Sequence, residues 1–142
     1  MFTHEYYMQQ VLNLARLTEV QTRPNPRVGA IIVNNHQIVG IGTHLFAGSS
    51  HAEVFALQQA NERARGATLY VNLEPCAHYG STPPCANAVV AAGISRVFVA
   101  NLDPNPLVAG KGVAILRAAG IEVIVGLCAD EATELNQVFL HN

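Results

Sequence analysis

A chain of 142 residues is the length of one domain and long enough to bury a core. Half of its residues are hydrophobic, 13% are charged, and no apolar run approaches the roughly 20 residues that cross a bilayer, which argues against a membrane protein. The net charge is −2 and the eight Lys and Arg residues are scattered, so there is no basic footprint for nucleic acid and the expected partner is a small molecule.

The start, MFTHEYYMQQ, lacks the apolar segment of a signal peptide, and a soluble, cytoplasmic protein is expected. Residues 4 to 18 place Tyr7, Val11, Leu14 and Leu17 at helical steps, with Thr3 as N-cap. Two apolar runs, VGAIIVN and QIVGIGTH, flank the polar turn Asn34-Asn35-His36 and predict a β-hairpin. HAEVFALQQANERAR reads as a helix closed by Gly66, and ATLYVNL as a buried strand. Ala-Ala-Gly-Ile recurs at residues 91 to 94 and 118 to 121, each time as helix end, glycine stop and apolar strand. Strands that alternate with helices in this half predict parallel pairing through right-handed crossovers. DEATELNQVFL is a final amphipathic helix. The sum is an α/β domain with a mixed sheet of about five strands, an opening antiparallel pair followed by parallel ones, and helices on both faces.

An odd count of three cysteines does not suit a secreted disulfide framework; closely spaced cysteines in a reducing compartment are more often metal ligands or catalytic groups. Two of them close the stretch EPCAHYGSTPPC, residues 74 to 85, whose prolines and glycine exclude an ordinary helix or strand. Upstream, SSHAEVFA puts His51 and Glu53 on the first turn of a helix; downstream, CANAVVAAG starts another behind Pro83 and Pro84. His51, Cys76 and Cys85 thus fall at or near helix N-termini, where the dipole and free N–H groups stabilise thiolates. One nitrogen and two sulfurs match a zinc site whose fourth position is open to water, and bound zinc brings the pKa of that water towards neutrality. Glu53 is then placed to carry a proton from water to a leaving amine. His-x-Glu followed by Pro-Cys and a second Cys is the arrangement of zinc-dependent nucleobase deaminases, although eight residues separate these cysteines where two are usual.

PNPRVGAIIV, HAEVFAL, LEPCAHYGSTPPC and DPNPLVAGKG together resemble the deaminase domain of the bifunctional riboflavin-biosynthesis deaminase/reductase family, over essentially the whole chain. The long loop between the cysteines, with its Thr-Pro-Pro, is specific to that family among deaminases. The resemblance implies a cytidine-deaminase-like three-layer α/β/α fold. It also implies hydrolytic removal of the C2 amine from 2,5-diamino-6-ribosylamino-4(3H)-pyrimidinone 5′-phosphate. On the matching positions His51, Cys76 and Cys85 resemble the zinc ligands and Glu53 the proton shuttle. Asn25 and His44 resemble pocket residues near base and ribose, His78 and Thr82 join them from the cysteine loop, and Asp103 and Asn105 resemble residues that hold the ribose phosphate. Ser81 stands where the family usually has Lys or Arg, so the phosphate contact falls to other groups, Lys111 and backbone amides among them. The family commonly continues into an NADPH-dependent reductase domain. Residues 1–142 therefore read as a zinc-dependent deaminase domain, with a reductase domain or partner and a homo-oligomer left open.

Blander readings compete at several positions. Ser50-x-x-Glu53 fits a capping box, in which the glutamate only satisfies a backbone donor. Cys76-x-His78 supplies an alternative ligand that would close the site and make it a structural zinc module. The rival among enzymes is a deaminase of nucleosides or nucleic acids. Asn25, His44, Asp103 and Asn105 are turn formers on residue type alone. Cys128 reads as inert packing, and His4, His36 and His141 as solvated bystanders. AGKGVA lacks the Ser/Thr and the upstream glycine of a phosphate-binding P-loop.

Overall fold

In a computed structural model, residues 1–17, 27–43, 51–77 and 83–141 are described. Helix α1 (His4–Arg16) starts where Thr3 Oγ1 accepts the Tyr6 N–H at 3.0 Å, the cap expected from the sequence. The hairpin follows, with β1 (Gly29–Asn34) antiparallel to β2 (Gln37–Thr43). Its turn residues Asn35 and His36 both take positive φ, 52° and 65°, as a type I′ turn requires to match the twist of the paired strands. Next come α2 (Ala52–Ala60), a 3-10 turn (Asn61–Ala64), β3 (Thr68–Leu73), α3 (Cys85–Ala91), β4 (Arg96–Asn101), α4 (Lys111–Ala118), β5 (Glu122–Val125) and α5 (Ala129–His141).

The helix expected over HAEVFALQQANERAR is broken. Asn61 takes φ 53°, which no α-helix holds but asparagine tolerates, and the chain resumes as a 3-10 turn that keeps Ala64 in the core. His4 also departs from expectation. The residue is exposed, as expected, but its ring is not a bystander: it stacks on Phe98 at 4.3 Å between centroids, with Nδ1 2.6 Å from the Tyr70 hydroxyl. The aromatic wall of β3 and β4 lies directly under the start of α1 and gives the imidazole something to pack on. His36 is exposed in its turn, as expected, and the side chain of His141 lies outside the described residues.

The sheet order is β2-β1-β3-β4-β5, with β1 antiparallel to both neighbours and β3, β4 and β5 parallel. Alternation along the strands sorts side chains onto two faces. Ala30, Ile32, Leu69, Val71, Val97 and Val99 pack with α2, α3 and α4; Ile31, Val33, Tyr70, Phe98 and Ala100 pack with α1 and α5. This is the three-layer α/β/α architecture. The Ala-Ala-Gly-Ile repeat is structural: α3 and α4 each stop at a left-handed glycine, Gly93 (φ 81°) and Gly120 (φ 86°), before a buried isoleucine leads to the next strand. Among the described residues no helix is long and apolar enough to cross a membrane.

One edge of the sheet gathers the start of β1 and the ends of β2, β3 and β4, since Gly29 pairs with Thr43, Ala30 with Val71, and Leu73 with Asn101. The carboxyl ends of parallel strands are where α/β sheets bind ligands. Among the described residues, Cys76 and Asp103 follow the strands that end here, and Ala52, next to His51, lies against Gly42 of β2.

Candidate active site

Helix α2 lies hard against β2. A Cβ added at Gly40 would collide with the Ala56 carbonyl oxygen, and one at Gly42 with that of Ala52. Opposite these glycines stands a stripe of small buried residues, Ala52, Ala56 and Ala60. The close approach fixes the first turn of α2, with His51 as N-cap and Glu53 at the second helical position. A capping box uses the third position, so the cap geometry does not match the blander reading of Glu53.

Pro84 is the N-cap of α3 and Cys85 its first residue. Cys76, on the segment leaving β3, is fastened to that helix start: its Sγ accepts the Cys85 N–H and its carbonyl accepts the Ala86 N–H, both at 3.1 Å. His51 Nδ1 lies 2.9 Å from Cys85 Sγ and 3.9 Å from Cys76 Sγ, and all three donor atoms fall within 4.8 Å of one another. Zinc bonds of about 2.0–2.1 Å to nitrogen and about 2.3 Å to sulfur set neighbouring tetrahedral ligands roughly 3.5–3.8 Å apart, so the donor types suit that ion, while His51 and Cys85 stand closer together than a bound ion would set them. Among the described residues no other group of three His, Cys, Asp or Glu converges in this way.

The electrostatics follow from this crowding. The Cys85 thiol donates to Cys76, which holds the Cys76 thiol well below its ordinary value despite burial. The same bond, with burial added, pushes Cys85 up. His51 is raised, chiefly by its hydrogen bond to Cys76 and against the effect of burial. Glu53 is 3% exposed, and loss of solvent pushes its carboxyl up to about 7, opposed by its backbone hydrogen bond and by His51. A carboxyl near neutrality can both take and return a proton.

Three buried polar residues, Arg27, Asn72 and Glu74, escaped the sequence reading. Asn72, fully buried near the end of β3, accepts the Gly29 N–H through Oδ1 and donates through Nδ2 to the Arg27 carbonyl, both at 2.9 Å. It ties the segment that enters β1 to β3. Glu74 accepts the Asp103 and Gly110 N–H groups at 2.8 and 2.7 Å on Oε1, and the Val113 N–H at 3.2 Å on Oε2. The available signal was a polar pair closing an apolar strand in ATLYVNLEP, where buried side chains must find partners.

Asp103 and Asn105 shape their own loop. Asp103 Oδ1 accepts the Asn105 N–H at 2.9 Å and Asn105 Oδ1 accepts the Leu107 N–H at 3.0 Å, so the turn-forming reading is realised in both. The Gly110 and Val113 amides at the start of α4 are engaged by Glu74, which withholds them from an external anion. Cys128 stands before α5, with Gln9 Nε2 at 3.9 Å from its sulfur. Asn25, His44, His78, Ser81 and Thr82 lie outside the described residues.

Residues 1–101 match the family described as the cytidine and deoxycytidylate deaminase zinc-binding region. The diaminohydroxyphosphoribosylamino-pyrimidine deaminase of Buchnera aphidicola subsp. Schizaphis graminum is 48% identical over 134 residues, covering 94% of this chain and 91% of that protein. The chain belongs to the cytidine and deoxycytidylate deaminase family, among its riboflavin-biosynthesis members. Riboflavin biosynthesis protein RibD of Bacillus amyloliquefaciens is 58% identical to this family member over 137 residues, 96% of this chain but only 37% of the length of that relative. The structure of Acinetobacter baumannii RibD, form 2, superposes with a TM-score of 0.93 at 60% identity, covering 96% of this chain and 39% of that one. His51, Glu53, Cys76 and Cys85 fall inside the matched zinc-binding region of the family, whereas Asp103 and Asn105 follow it.

Proposed function

We propose that this domain hydrolytically removes the C2 amine of 2,5-diamino-6-ribosylamino-4(3H)-pyrimidinone 5′-phosphate in riboflavin biosynthesis, using zinc. The observation that carries the reading is the convergence of the His51, Cys76 and Cys85 donor atoms within 4.8 Å, with buried Glu53 two residues from the first of them. Among the described residues three protein donors converge, which leaves a tetrahedral ion one position short, as in catalytic sites. The kinship with a diaminohydroxyphosphoribosylamino-pyrimidine deaminase supports the choice of substrate.

His51, Cys76 and Cys85 would hold the ion, which when bound supplies Lewis acidity and an acidified water at neutral pH. The Cys85 N–H and the start of α3 keep Cys76 in the thiolate form that a metal site needs. A Glu53 carboxylate oxygen takes a proton from the attacking water and delivers it to the departing nitrogen. The exocyclic C2–N bond breaks, the water oxygen remains on C2 as a carbonyl with its second proton on the adjacent ring nitrogen, and ammonia leaves. Burial of Glu53 keeps bulk water from competing for that proton. Asn25, His44, His78, Thr82, Asp103 and Asn105 make up the substrate-binding set in this reading. Asp103 and Asn105 support it by shaping a loop at the edge of the sheet that carries the donors.

The free thiols suit the reducing cytoplasm, which is where this reading places the enzyme. The greater length of the longer relatives leaves room for the reductase that the family resemblance implies, joined to the deaminase or acting as its partner. The test is ammonia release from the purified, zinc-loaded protein on three substrates. Turnover is expected with the diaminopyrimidine ribotide and not with cytidine or an RNA hairpin; the reverse pattern would overturn the assignment.

A further inference from the structure

We infer that Glu74 is a positioning residue, holding the Leu102–Gly110 loop in register with Cys76 so that the far end of the substrate sits at a set distance from the metal-binding cluster. The inference deepens the deaminase reading above and rests on it. Its basis is an unusual use of one carboxylate. Both ends of the loop, through the Asp103 and Gly110 N–H groups, are tied to the same oxygen, Oε1, and the first turn of α4 is tied to Oε2 through Val113. The Glu74 N–H itself donates to the Asn101 carbonyl at 3.0 Å, which prolongs the parallel ladder beyond β3 and fixes the backbone carrying that carboxylate.

Two further features tighten the arrangement. A Cβ at Gly112 would collide with the Pro75 carbonyl oxygen, so α4 is pressed against the residue before Cys76 and only glycine fits. Gly110, the N-cap of α4, has a left-handed φ of 87° and no side chain to cap the helix; Glu74 supplies the missing acceptor from another element. The middle of the loop is left to face outward, with Asn105 exposed and Leu107 78% exposed, while its ends are clamped. A physical chain thus runs from the loop through Glu74 and Pro75 to Cys76, whose sulfur meets the start of α3.

Both oxygens of Glu74 face backbone donors and neither faces an acceptor, so Glu74→Gln is a sharp probe. In either amide orientation it sets an NH2 group against a backbone N–H. The zinc-loaded Glu74→Gln protein is expected to keep its zinc stoichiometry and a kcat within about threefold of the parent, while KM for the ribotide rises about tenfold. Equal loss in kcat, or an unchanged KM, would overturn the inference; a parent protein inactive on the ribotide would instead overturn the assignment of substrate. Should the variant not fold, hydrogen exchange on the parent decides. The Asp103, Gly110 and Val113 amides are expected to be protected without substrate, and exchange at the rate of an open loop would refute the clamp.

Discussion

A glutamate in the first turn of a helix is usually a solvated complement to the dipole, and Glu53 is instead almost completely buried beside a His/Cys/Cys cluster. Its replacement therefore separates chemistry from folding. Glu53→Gln is expected to leave metal content and circular dichroism unchanged while kcat falls by about 10²- to 10⁴-fold, the usual weight of a positioned proton carrier. Unchanged turnover would remove Glu53 from the mechanism. The three residues of this cluster and Glu53 were legible because each is tied to a local signal, a helix start or a proline-rich turn. Asn72 and Glu74 were not, because their partners are backbone groups 43 residues away for Gly29 and 29 to 39 residues away for Asp103, Gly110 and Val113. The polar residues that close the apolar strand announce that partners are needed, but not which backbone groups supply them. Asn72→Ala leaves the Gly29 N–H without its acceptor and is expected to cost about 1–3 kcal/mol in urea unfolding.

Among the elements, the pairing of α2 with β2 decides where the cluster sits. Gly40 and Gly42 face Ala52 and Ala56 so closely that a methyl group has no room. Gly42→Ala is expected to destabilise the fold by roughly 1–3 kcal/mol through overpacking. It should also lower turnover at temperatures where the variant is fully folded, because the displaced turn carries His51 and Glu53. Wild-type turnover under those conditions would show that α2 can shift without cost to the site. The hairpin was readable from its polar turn, since Asn34-Asn35-His36 offers the residues that accept left-handed φ. The break of α2 was hidden by the apolar and polar spacing, which runs through Asn61 as if the helix continued.

For the molecule as a whole, two apolar clusters on opposite faces of the sheet are built without the metal donors, apart from the adjoining helix residues Ala52 and Ala86. Chelation is thus expected to abolish turnover while far-UV circular dichroism persists, with a fall in the melting temperature that reflects only the lost binding energy of the ion. Acidification should act in the same direction, since protons compete with the metal for both sulfurs and for His51. Full activity in a preparation shown to lack zinc would refute the metal-assisted reading. The three-layer order was legible from strands alternating with helices, but the place of β1 between β2 and β3 was not. Neither hairpin strand carries a local mark of which one meets β3; that choice is made by burial, with β1 buried along five of its six residues and β2 exposing Ile38 and Ile41 at the sheet edge.

The bend at Asn35 and His36 lies at the opposite end of β1 from the segment held by Asn72, about 20 Å away for a six-residue strand. That distance makes it a natural attachment point. A dye or affinity handle grafted onto the exposed bend would ride on the scaffold without touching the reacting groups, so the immobilised enzyme should work at the same speed as the free one.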